Sequence, residues 1–244
     1  MTRHTGHLTW ALGTLALALV LVGCRRPAGD PIEPAETETA PPTAIAGETT
    51  AGSPAVESGY QQGFTNHGEP FRGNPAAAVV IEEFSSYQCP FCGKYFRESY
   101  PQVMADYVET GQVLYIFRDF PLASQPQSRL AAESANCAGS VGGGDTYWTM
   151  HDLLFERQAE WSGRREADAI FKEYAIELGL NTDLFGECLD SGATRADVEA
   201  DAAEGTQRGV RGTPTFFING QPLVGAQPYE IFRRVIELAG KETR

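Results

Sequence analysis

Two cysteines separated by Pro-Phe, Cys89-Pro90-Phe91-Cys92, stand where a strand pattern gives way to a helix pattern, and that position constrains the fold more than any other feature of the chain. Upstream, Val79-Val80-Ile81-Glu82-Glu83-Phe84 is a short apolar run bounded by Gly73-Asn74-Pro75, the signature of a buried strand. Downstream, Tyr95, Phe96, Tyr100, Val103, Met104, Tyr107 and Val108 recur at helical spacing. A helix that opens on Cys89 turns unsatisfied backbone N–H groups and its positive dipole end toward the sulfur, and both favour a thiolate. Cys92 lies one turn on, on the same face, within reach to close a disulfide. The arrangement is that of a thiol–disulfide exchange centre.

The N-terminal part of the chain has a different character. Arg3 and two histidines precede an apolar run from Leu8 to Val22, too short to span a bilayer comfortably. The run ends in Leu21-Val22-Gly23-Cys24, which resembles a bacterial lipobox, where the cysteine is acylated after signal cleavage. The alternative is an ordinary secretory signal or an uncleaved anchor, with Cys24 incidental. Residues 1–23 are read as a lipoprotein signal peptide, and several acyl chains on Cys24 would anchor the protein where one chain would not. Residues 24–62 are Pro, Thr, Ala, Glu and Gly with almost no aromatics, a composition that cannot build a core and reads as a disordered tether. A flexible chain of that length reaches roughly 30–40 Å. Residues 63–244 then make one globular domain of ordinary size.

The formal charge is −13, and loss of the signal removes a single cation. Such a surface excludes nucleic acid and electrostatic attachment to anionic lipid as partners. Asp197, Asp201 and Glu204 share one face of a predicted helix and are expected to be solvated. Of the five cysteines, Cys24 goes to lipid and Cys89 with Cys92 to the motif. Cys137 and Cys188 remain, and an even remainder in an exported protein points to a structural disulfide. No metal site is expected, because a zinc centre on the Cys pair needs two more ligands and His67 and His151 are the only histidines beyond the signal. His151, inside Tyr147-Trp148-Thr149-Met150-His151-Asp152-Leu153-Leu154-Phe155, reads as a buried structural residue.

The helix after the cysteines should end near Thr110-Gly111, with a second buried strand at Val113-Leu114-Tyr115-Ile116-Phe117 broken by Phe120-Pro121. From about Gln127 to Thr206 the pattern is helical. Glycines at 142–144, 163, 179 and 192 punctuate it into four or five short helices. Strand character returns at Thr215-Phe216-Phe217-Ile218, and Asn219-Gly220 predicts a tight hairpin to Pro222-Leu223-Val224. A last helix covers about Pro228 to Leu238, with Phe232, Val235, Ile236 and Ala239 inward.

This order, β, α carrying the cysteines, β, helical block, β-hairpin, α, resembles the α/β thioredoxin fold, and the inserted block at about 122–208 resembles its DsbA-like branch. Phe84-Ser85-Ser86-Tyr87-Gln88-Cys89-Pro90-Phe91-Cys92 and Gly209-Val210-Arg211-Gly212-Thr213-Pro214-Thr215-Phe216-Phe217-Ile218-Asn219-Gly220 carry the resemblance, which covers about 73–240. It implies a cis peptide at Thr213-Pro214 lying against the cysteine pair, keeping a backbone N–H and metal away from it and helping to dock substrate. It also implies a buried acid beneath the pair acting as a proton relay. Glu83, six residues before Cys89, has that offset, and a wet strand end is the alternative for both Glu82 and Glu83. One departure is Phe91, where strongly oxidising relatives carry a histidine that can donate to the thiolate.

The resemblance thus implies an extracytoplasmic, membrane-anchored thiol–disulfide oxidoreductase, at the periplasm or the outer face of the envelope. Cys89 is expected as the exposed nucleophile and Cys92 as the resolving thiol, with no cofactor. The expected partners are reduced exported proteins and a membrane quinone-linked reoxidant, with the lipid anchor holding a monomeric enzyme at the membrane. A disulfide reductase or isomerase, or a non-catalytic binding or chaperone module on the same fold, are the alternatives.

Overall fold

The computed structural model describes residues 59–242; the signal peptide, Cys24 and nearly all of the predicted tether lie outside the described residues. A six-stranded sheet is built from β1 (Gln61–Phe64), β2 (Pro70–Gly73), β3 (Val79–Ser85), β4 (Val113–Asp119), β5 (Thr215–Ile218) and β6 (Gln221–Val224), in the order β1-β2-β4-β3-β5-β6. β3 and β4 are parallel in the register Val79↔Val113 to Ser85↔Asp119, and every other pairing is antiparallel. β3 is therefore central, as its apolar run requires.

Alternation along β3 sends Ile81 and Glu83 to one face and Glu82 and Phe84 to the other. The first face packs Val79, Ile81, Tyr115, Phe117, Phe216 and Ile218 into the main core. The second carries a smaller cluster of Phe84, Val210 and Phe217 with Phe120 against it. Asn219 and Gly220, at φ 46° and 79°, make the predicted tight turn. The Asn219 side chain also accepts from Val80 N at 2.8 Å and donates to Ala78 O at 3.1 Å, locking the hairpin to the start of β3.

The cysteine-led helix comes in three pieces: α1 (Pro90–Glu98), α2 (Tyr100–Val103) and a π-helical turn at Met104–Val108. Pro101 supplies the break, since it has no N–H to continue the ladder. The helical block holds six helices among the described residues: α3 (Ser128–Gly142), α4 (Gly144–Glu156), α5 (Gln158–Trp161), α6 (Ala167–Glu177), α7 (Thr182–Ser191) and α8 (Arg195–Gln207). The glycine breaks fall where the sequence places them, and α5 is one short turn more than it predicts. α7 is capped at both ends, by the Asn181 side chain accepting from Leu184 N and by left-handed Gly192. A disulfide joins Cys137 on α3 to Cys188 on α7, with the Cα atoms 5.8 Å apart. Finally, α9 (Tyr229–Glu242) lays Phe232, Ile236 and Ala239 on the core, while Val235 packs at its margin.

Two features depart from the sequence reading. The β1–β2 hairpin extends the sheet beyond β4, and its first strand begins at Gln61, ahead of the predicted domain start at residue 63. Arg72 on β2 is buried there, paired with both carboxylate oxygens of Asp152 (2.6 and 3.1 Å) and lying 4.4 Å over the Trp148 ring. On the acidic face of α8, Asp197 is exposed as expected, but Asp201 and Glu204 are not free in solvent. Arg118, on the second face of β4 and nearly buried, meets Glu69 at 2.5 Å and Asp201 at 2.8 Å, and pairs with Glu204. A guanidinium taken out of water needs such partners, and α8 supplies two of them.

Candidate redox site

Cys89 is the N-cap of α1, in extended conformation (φ −73°, ψ 123°), with Pro90 in the first helical turn. Proline is favoured there because its missing N–H would be unsatisfied anyway. The Cys89 N–H donates to Ser86 O at 3.0 Å, and the Cys89 carbonyl accepts from Gly93 N at 3.0 Å, so the helix begins at the cysteine itself. The Cys89 thiol also donates to Thr213 O at 3.4 Å, and the peptide that follows, Thr213-Pro214, is cis. Two segments 124 residues apart thereby meet at one sulfur.

This closeness corrects one expectation. Cys89 is only 3% exposed, not open to solvent, because the Thr213-Pro214 loop packs against it, and Cys92 is fully buried. Phe91 between them is 63% exposed. Both cysteines are free thiols here.

Their environments drive the two thiols apart. The Cys89 thiol is pulled down to about 5, first by the hydrogen bond from Cys92, against the cost of burial, and then by the Thr213 side chain and the N–H groups of Cys92 and Phe91. Burial pushes Cys92 up, and the Cys89 and Glu83 charges push it further. One sulfur is a thiolate near neutral pH and its neighbour is its proton donor.

Glu83 lies beneath the pair. It is buried, accepts a short hydrogen bond from the Tyr115 hydroxyl, and is pushed up to about 7, chiefly by burial. The Tyr115 hydroxyl also reaches Tyr95 at 3.3 Å, so the acid belongs to a buried polar thread under α1. Glu82 points the other way, to a two-pronged ion pair with Arg208 at 2.7 Å on each prong. The fold thus brings Cys89, Cys92, Thr213, Pro214 and Glu83 together and leaves the Cys137–Cys188 disulfide in the helical block.

His151 is buried, as its sequence context predicts. Its Nδ1 lies 2.8 Å from Asp152, and the rings of Tyr87, Phe117, Trp148 and Phe155 surround it. Burial pushes its pKa down, so it stays neutral. Among the described residues, no three His, Cys, Asp or Glu side chains are grouped to hold a metal ion.

Sequence reasoning missed three glutamines. Gln125 accepts from the Ser86 hydroxyl at 2.7 Å, Gln127 accepts from the Gln88 side chain at 2.7 Å, and Gln158 donates to the carbonyls of Tyr87 and Cys89. No local pattern marks a glutamine that reaches a loop 39 or more residues away. A cavity of about 600 Å³ lies beside Arg118 and α8, and another of about 420 Å³, lined by Gln88, Pro90, Arg97 and Gln158, adjoins the cysteine motif.

The thioredoxin family model matches residues 65–238. The chain belongs to the thioredoxin family. Its DsbA-like form of the fold is that of α-DsbA1 from Wolbachia pipientis (TM-score 0.66, 23% identity, 74% of this chain and 94% of that one) and of oxidised BdbD from Bacillus subtilis (TM-score 0.67, 24% identity, 75% and 97%). In sequence this thioredoxin-family chain is 25% identical over 177 residues to disulfide bond formation protein D of Bacillus subtilis, covering 71% of the chain and 79% of that protein. It is 38% identical over 163 residues to Na(+)/H(+) antiporter NhaA 3 of Salinispora tropica, covering 66% of the chain. The match spans only 22% of that antiporter.

Proposed function

We propose that this protein is a thiol–disulfide oxidoreductase outside the cytoplasm, tethered through lipidated Cys24, that oxidises cysteine pairs in exported chains. The observation that carries the reading is the pair of free thiols at one helix start, with Cys89 at the N-cap against the cis Thr213-Pro214 peptide and Cys92 buried one turn on, an environment that draws Cys89 down to about 5 and pushes Cys92 up. A stabilised thiolate favours the reduced protein, which makes its disulfide form the better oxidant. The apolar run ending at Cys24 and a disulfide in the helical block support an oxidising compartment.

In the oxidised protein a substrate thiolate attacks Cys89 Sγ, forming a mixed disulfide and expelling Cys92 as the leaving sulfur. Glu83, close to neutrality in its titration, supplies the proton that Cys92 takes up. The second substrate thiolate then attacks its own partner sulfur in the mixed disulfide. It releases Cys89 as a thiolate and leaves the substrate oxidised by two electrons. A quinone-linked membrane partner takes those two electrons back from the Cys89–Cys92 dithiol. The Thr213-Pro214 loop, next to the reacting sulfur, is the docking edge for the substrate strand.

Equilibration with glutathione buffers tests this reading. The Cys89–Cys92 couple should fall above the roughly −270 mV of thioredoxin and below the roughly −120 mV of DsbA, since Phe91 offers no donor where strongly oxidising relatives carry histidine. A value at or below that of thioredoxin would make the protein a reductase. Failure to exchange with a reduced, unfolded substrate would leave a binding module.

A further inference from the structure

The loop that presents Cys89 is held by the helical block as well as by its own helix. Ser86 and Gln88 are tied to Gln125 and Gln127 ahead of α3, and the Gln127 N–H returns a bond to Gln88 Oε1 at 2.8 Å. At the cysteine itself the work falls to one residue. Gln158, the first residue of α5, donates from Nε2 to Tyr87 O at 2.5 Å and to Cys89 O at 3.0 Å. Both amide hydrogens are used, one on the Cys89 carbonyl and one on the carbonyl two residues before it.

A second observation, inside α1, fits the first. A Cβ on Gly93 would stand 2.5 Å from Gln158 Oε1 and 2.9 Å from Arg97 Nη1. Gly93 is an ordinary helical residue with no positive φ, so backbone strain does not call for glycine there. The space is needed for the glutamine head.

From these two features, and resting on the exchange function proposed above, we propose that Gln158 is a positioning residue of the redox centre. It fixes the Tyr87–Gln88 and Cys89–Pro90 peptides so that the first N–H groups of α1 face the sulfur, and Gly93 is the vacancy that admits it. The thiolate is held by N–H groups whose aim depends on the Cys89 backbone, and a charge-assisted bond weakens steeply when its angle is lost. Gln158 sends its donors to backbone carbonyls and not to either sulfur. It couples the helical block to the potential of the cysteine pair.

The test uses the full chain with Gln158→Met, which keeps length and removes both donors, and Gly93→Ala, which displaces the glutamine head. Thiolate absorbance against pH gives the Cys89 titration, glutathione equilibration gives the potential, and thermal unfolding reports stability. Each variant is expected to raise the Cys89 midpoint by about one pH unit and to shift the glutathione equilibrium about tenfold toward the disulfide, close to 30 mV more reducing. The double variant should shift no further than the larger single one, because both act through one contact. Gly93→Ala also adds helix propensity, so it should hold or raise the melting temperature while the titration moves, which separates positioning from stability. If Gln158→Met fails to fold, Gly93→Ala carries the test alone. A wild-type midpoint well below that of a free thiol together with unmoved variants overturns this inference and leaves the function standing. A wild-type Cys89 that titrates as a free thiol overturns both.

Discussion

Replacing Glu83 by Gln should remove the pH dependence that this buried acid imposes on stability. In the fold, burial raises the carboxyl from 4.5 to about 7, so the native state prefers it protonated. Its contribution is full below the unfolded value, is lost as pH rises through about 7, and stays lost above it. A shift of this size at 1.36 kcal/mol per unit makes the loss about 3 kcal/mol between pH 4 and pH 8. Gln cannot ionise, and its Oε1 can still accept the Tyr115 hydrogen bond. Its extra amide N–H needs a partner, which costs about 1–3 kcal/mol at every pH and leaves the slope untouched.

The measurement is urea unfolding of both proteins as the Cys89–Cys92 disulfide, so that neither thiol titrates. Asp119 and Asp201, also raised by burial, are common to both chains and cancel in the difference. Glu83→Gln should gain about 3 kcal/mol on the wild type from pH 4 to pH 8, whatever its offset. Parallel curves across that range would refute the buried-acid argument, and with it the role of Glu83 as proton donor to Cys92.

Other outcomes follow from the same structure. Replacing Cys137 and Cys188 together by Ala opens a link across a sequence separation of 51, which should cost up to roughly 4 kcal/mol of stability while exchange at Cys89 continues; unchanged urea midpoints would show that the link is dispensable. A chain beginning at Gly59 keeps β1 whole and should unfold cooperatively and exchange at the full-length rate, whereas a slower rate would give the N-terminal residues a part in catalysis. Cys24→Ala should release the protein from the membrane fraction of expressing cells without altering the redox potential of the purified protein, and continued membrane retention would replace the lipid anchor with an uncleaved apolar segment.

The cysteine motif, the strands on either side of its helix, the Asn219-Gly220 hairpin and the helical block are all legible in the chain. Each rests on a local signal: an apolar run, a 3.6-residue period, or a turn dipeptide whose backbone angles few other residues accept. Glu83 is legible in part, because alternation along β3 must send it and Glu82 to opposite faces. Which face lies under the cysteines depends on where α1 folds back.

Tertiary structure alone decided the rest. Cys89 is buried because a loop 124 residues away closes on its sulfur. Asp201 and Glu204 are engaged because Arg118 comes out of β4 beneath α8. Gln61–Phe64 forms a strand only because β2 is there to pair with, its own pattern being too short and polar to announce one. Gln158 reaches the cysteine loop from a helix turn 69 residues on. Periodicity and turn chemistry are written in neighbouring residues, so they can be read before the chain folds. A burial, an ion-pair partner or a hydrogen bond between distant segments exists only once packing has brought the two together.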